Sequence, residues 1–192
     1  MEFVTITQIK DIKLFKQSIY DGKVFILRKN IQIIDLNNYV LKKFKSFFKI
    51  DVDDFINNDR SKEINEVSLV SFQKNIKESK VLLKKFAVFL EHLKFNINEI
   101  LSDKITFRYS PKNKSNSIGL LKPSKAHRDT WASNIFHQIN WWIPLHNVKD
   151  NNSIFLIPKY FNQKVENNSK GWSFEKYKFS ENYPSTPFSN FK

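Results

Sequence analysis

The chain has 192 residues, 41% of them hydrophobic and 27% charged, with a formal net charge of +13 and no cysteine. The hydrophobic share and the 15% aromatic content exclude a disordered chain, and the missing thiols exclude disulfide frameworks, cysteine-based metal sites and thiol catalysis. No apolar run reaches the roughly 18–20 residues of a membrane span. The opening residues 1–17 mix acid with base and lack a small-residue cleavage site, so no membrane association or secretory leader is expected and a cytoplasmic location is predicted.

Ile9, Ile12, Leu14, Phe15 and Ile19 recur at helical spacing, and Asp21-Gly22 closes that helix. Val24–Leu27 reads as a short buried strand. Asp35 is placed to cap a helix running through Tyr39, Leu41, Phe44 and Phe48. Asp51–Glu63 is polar and predicted as a loop, with a turn at Asn57-Asn58-Asp59. From Glu66 to about Lys94, Leu69, Phe72, Ile76, Leu83, Phe86, Leu90 and Leu93 form one wide apolar stripe, suited to a helix packed on a sheet. His92 falls on the surface of that helix, with no chemical role.

After Ser102 the pattern changes. Lys104–Tyr109 alternates as a strand does, Ser110–Ser117 is a polar loop, and Ile118–Leu121, Ile135–Leu145 and Ser153–Pro158 are further strand candidates. Asn167–Lys192 shows no clear element. The expected fold is therefore one α+β domain: a mainly helical part over 1–103, β core strands over 104–166 forming a sandwich or barrel, and an irregular tail over 167–192.

The most informative stretch is Lys125-Ala126-His127-Arg128-Asp129-Thr130-Trp131. In an extended segment, alternate side chains share a face, which puts the His127 imidazole beside the Asp129 carboxylate. Two such donors offer adjacent positions to a divalent metal, and one further histidine would complete a 2-His-1-carboxylate facial triad. Gln138, Asn140 and Trp142 share one parity on the following strand candidate; Trp141 and Ile143 share the other. Both tryptophans also suit plain core filling.

Other chemistries find no support. Gly22, Gly119 and Gly171 are too few and too scattered for a phosphate-binding loop, and no nucleophile elbow accompanies a serine. Asp51, Asp53 and Asp54 lack the glycine and the final glutamate of a calcium loop. The basic residues are 28 lysines and four arginines, scattered among Asn, Ile and Phe. All these residues have AT-rich codons, so compositional bias accounts for the charge as a solvated surface. Nucleic acid, which favours arginine for bidentate contacts, is not an expected partner.

Taken together, HRDTW, QINWWIPL and NNSIFLIPKYF resemble the phytanoyl-CoA-hydroxylase-like branch of the Fe(II)/2-oxoglutarate-dependent dioxygenases, over roughly Ile105 to Phe161. The resemblance implies a helical N-terminal half packed on a double-stranded β-helix of jelly-roll or cupin-like form. It implies an oxygenase that hydroxylates a small molecule, with Fe(II) and 2-oxoglutarate as cofactors and His127 and Asp129 as iron ligands. Gln138 and Asn140 would then bind co-substrate, Trp131 would stand at the mouth of the site and Trp142 would form an apolar wall against substrate. Arg128 would turn away from the metal into a salt bridge at the rim.

The family's third ligand is a later histidine, followed by a base that grips 2-oxoglutarate. After Asp129 the chain offers only His137, too near in sequence, and His146, expected in a turn with Asn147; residues 147–192 hold neither histidine nor arginine. A shortened or lapsed member, with the β-helix incomplete, is expected ahead of a triad rebuilt on His146. The alternative is a non-catalytic ligand-binding or interaction module on the same fold, taking an anionic ligand through its lysines.

Overall fold

The computed structural model describes residues 2–57, 66–109, 125–149, 153–179, 184 and 186–189. The fold is α+β, built as two compact units: residues 1–107 with 140–158, and residues 108–139 with 159–192.

The first unit begins with strand β1 (Glu2–Ile6), helix α1 (Ile12–Tyr20) and strand β2 (Lys23–Leu27). The strands pair in parallel, from Glu2 opposite Lys23 to Ile6 opposite Leu27, and α1 supplies the crossover that parallel strands require. Asp11 caps α1, its carboxylate accepting from the Lys13 and Leu14 amides at 2.8 and 3.0 Å. Gly22, at φ 96°, turns the chain back into β2. Phe15 is buried on the inner face of α1 against Phe25, ring centroids 4.6 Å apart.

Helix α2 (Ile31–Phe48) starts earlier than Asp35 would have it. Its cap is the buried Asn30, which accepts from the Ile33 amide at 3.1 Å. Asp35 lies inside the helix and pairs with Lys85 at 2.5 Å. Helix α3 (Val52–Asn57) replaces the first part of the predicted polar loop, because Val52 and Phe55, three residues apart, are both buried. The turn predicted at Asn57-Asn58-Asp59 lies largely outside the described residues.

The long apolar stripe belongs to two helices, α4 (Glu66–Lys77) and α5 (Lys80–His92). The Ser79 hydroxyl accepts from the Leu82 amide at 3.2 Å, starting a new helix. That break shifts the phase of the stripe: Leu69, Phe72, Ile76, Leu82, Phe86, Phe89, Leu90 and Leu93 are buried, whereas Leu83 is exposed. His92 is exposed, as predicted. Phe44 of α2 meets Phe55 and Phe72 at 5.5 Å and Phe107 at 6.2 Å, forming the aromatic centre of this unit.

Beyond α5 the described residues form no strand, Lys104–Tyr109, Ile135–Leu145 and Ser153–Pro158 included. The Ile118–Leu121 candidate and the Ser110–Ser117 loop lie outside the described residues. Side-chain amides of the helices bind part of this extended backbone. Gln73 Nε2 donates to the Phe107 carbonyl at 3.1 Å and Asn37 Nδ2 to the Pro144 carbonyl at 3.0 Å, contacts that stand where ladder hydrogen bonds were expected.

The second unit contains helix α6 (Thr130–Ser133), a 3₁₀ turn at Ser169–Gly171 and helix α7 (Phe174–Phe179). Described residues of the 167–192 segment are tied into this unit. The Ser189 amide donates to the Ala126 carbonyl at 3.0 Å, its hydroxyl to the Glu166 carbonyl at 2.6 Å, and Pro187 is fully buried. Among the described residues, no helix is long and apolar enough to cross a membrane.

Candidate metal centre

His127 and Asp129 meet in the second unit, Nε2 lying 3.1 Å from Oδ1. Their meeting owes less to strand alternation than to a turn. Asp129 has helical backbone angles (φ −60°, ψ −31°) at the start of α6, and its side chain does not cap that helix. The imidazole is anchored on its other side, where Nδ1 donates to the Lys125 carbonyl at 2.6 Å. A carbonyl and a carboxylate are both acceptors, so with both bonds made each ring nitrogen carries a proton. The His127 pKa is accordingly raised from its ordinary 6.5, chiefly by the hydrogen bond to Asp129 and further by the Lys125 carbonyl, against burial and the charge of Arg108.

Donor atoms about 3 Å apart have the separation of two adjacent ligands with bonds of roughly 2.1 Å at right angles. The pair therefore fits two neighbouring positions of one divalent cation, which would take the place of the shared proton. Among the described residues no group of three or more His, Asp or Glu side chains gathers at one point. His146 belongs to the first unit, where its Nδ1 donates to the Asn147 carbonyl at 3.0 Å.

The other predicted site residues divide between the units. Gln138 shares the second unit with the pair, and its Oε1 accepts from Ser133 Oγ, which also bonds the Asp129 carbonyl. Trp131, half-buried on α6, has the Arg128 guanidinium 5.7 Å from its ring centroid. Asn140 and Trp142 belong to the first unit. There Trp141 packs edge-on against Phe86, Phe89 and Phe95, while Trp142 is 47% exposed.

Arg128 binds backbone instead of a rim carboxylate. Its Nη2 donates to the carbonyls of Tyr160 and Gln163. This strap went unforeseen, since acceptor carbonyls carry no mark in the sequence. An arginine three residues before Trp131 was the one available hint, as that spacing brings the two onto one face of a helical turn. No protein-family model, curated protein or solved structure matches this chain.

Proposed function

We propose that this chain is an Fe(II)/2-oxoglutarate oxygenase-family protein acting on a small molecule in the cytoplasm, with His127 and Asp129 as protein ligands to the iron. The observation that carries the reading is the 3.1 Å juxtaposition of Nε2 and Oδ1 inside the HRDTW motif. Iron with 2-oxoglutarate supplies the oxygen activation needed to hydroxylate an aliphatic C–H bond. The chain's own residues hold and orient: the Lys125 carbonyl fixes the imidazole ring, and Ser133 ties Gln138, the co-substrate donor, to α6. Asn140 as a second co-substrate donor, Trp131 and Trp142 as apolar boundaries, and a double-stranded β-helix over 104–166 belong to the same proposal.

A second reading, a non-catalytic ligand-binding module, is favoured by the donor count. Two side chains meet among the described residues, and a proton already bridges them. Anaerobic titration of the full chain with Fe(II) and 2-oxoglutarate separates the two readings. The oxygenase reading expects a visible metal-to-ligand charge-transfer band that His127→Ala abolishes while circular dichroism stays unchanged. A folded native chain that gives no band overturns it in favour of the module.

A further inference from the structure

We propose that the second unit carries a surface for single-stranded nucleic acid, centred on Trp172, Phe174 and Tyr177 and supported by the unit's exposed lysines. The inference does not rest on the metal pair. It departs from the expectation that compositional bias alone explains the charge, and three observations carry it.

The first is where the acids are. Bases are spread evenly, twenty in the 126 residues of the first unit and twelve in the 66 of the second. The acids are not: fifteen fall in the first unit and four in the second. Codon bias toward lysine would raise the bases everywhere, whereas a regional thinning of carboxylates leaves one unit with a net +8. A net positive charge of that size attracts a polyanion.

The second is what the unit exposes. Among its described residues the exposed large apolar side chains are Ile135, Phe136, Phe161 and Phe174, three of the four aromatic. The first unit exposes mainly Ile, Leu and Val. A lipid surface accepts aliphatic and aromatic side chains alike, but a base stacks on a ring.

The third is the geometry of the row. Trp172, Phe174 and Tyr177 follow one another at centroid spacings of 6.4 and 6.1 Å. The Trp172 indole is fixed through its edge, Nε1 donating to the Pro184 carbonyl at 2.8 Å, and Phe174 is 54% exposed. Lys170 and Lys176 are exposed and close to the row in sequence, with Glu175 the single acid between Ser169 and Phe179. Elsewhere in the unit the Lys125 ammonium lies 4.0 Å from the Phe188 ring centroid and the Lys159 ammonium 5.4 Å from that of Tyr160. Lysines and aromatic rings are thus neighbours in this unit, the two kinds of side chain that bind phosphate and stack bases.

The test is fluorescence anisotropy of the full chain with a labelled oligothymidylate of about 16 nucleotides, with phosphatidylserine vesicles as a parallel arm. Binding is expected at about 50 mM salt, weakening by tens of fold at about 200 mM. Phe174→Ala and Phe174→Leu should each weaken it roughly tenfold, Phe174→Trp should retain it, and Phe155→Ala in the first unit should leave it unchanged. Absence of binding at low salt overturns the proposal. So does binding that Phe174→Ala and Phe174→Leu leave intact, which would be charge alone, and so does capture of vesicles in place of the oligonucleotide.

Discussion

His127 makes two hydrogen bonds to two acceptors, and that pairing sets how its contribution depends on pH. The ring side chain is 24% exposed and the Asp129 side chain 50% exposed, so solvent screens the pair and its net value is about 0.5–1 kcal/mol. Because folding raises the His127 pKa, this contribution is fully present below the unfolded value near 6.5 and fades as pH rises through the folded value. His127→Ala and Asp129→Asn should therefore lower Tm at pH 5.5, and the gap to the parent should close by about pH 9. Thermal denaturation followed by circular dichroism across that range checks it, and a gap that widens with pH would refute the assignment. The pair was legible because a two-residue spacing brings His127 and Asp129 together in a turn as readily as in a strand. The Arg128 strap was not, since its acceptors lie 32 and 35 residues further on.

At the scale of elements, side chains that end one helix and begin another decided what periodicity could not. The stripe from Leu69 to Leu93 announces helix throughout, yet Ser79 accepts from the Leu82 amide and the Tyr39 hydroxyl lies 3.1 Å from it. One short polar side chain thus divides the stripe and turns Leu82, instead of Leu83, into the core. Ser79→Ala should cost about 1 kcal/mol, read as a lowered urea midpoint at unchanged slope. Asp35→Asn, which loses a pair with an exposed carboxylate, should cost less, about 0.5 kcal/mol or under. Equal losses would show that Asp35 does more than face Lys85. The strand candidates failed for a different reason: alternation in Lys104–Tyr109 or Ile135–Leu145 declares extended backbone but says nothing of what will bond it. Here the Gln73 and Asn37 amides of α4 and α2 reach that backbone, and the pairing of an amide with a distant carbonyl leaves no periodic trace. Strand β1 was missed because five residues carry too little pattern without β2 beside them.

At the scale of the whole molecule, the first unit is discontinuous. Residues 140–158 return to join 1–107 across more than thirty intervening positions, and such a return needs contacts strong enough to offset the cost of closing the loop. The adjacent tryptophans offer very different ones. Trp141 stands edge-on to Phe86, Phe89 and Phe95 at 6.3, 5.1 and 6.2 Å, arrangements that aromatic rings favour beyond simple area burial. Trp142 is nearly half exposed. Since Phe89 is fully buried and Phe86 and Phe95 nearly so, truncating Trp141 opens a void against rings that cannot easily move to fill it. Trp141→Ala should cost roughly 2–4 kcal/mol, toward the lower part of the range for large aromatic truncations because the indole is half-buried. Trp142→Ala should stay within about 0.5 kcal/mol. Urea denaturation of the two variants measures the difference directly. If Trp142 proves the costlier loss, the opposite parity holds and Trp142, not Trp141, anchors the returning segment. If Trp141 does, the returning segment is held to α5 by one indole, and Trp142 remains available at the surface for a ligand.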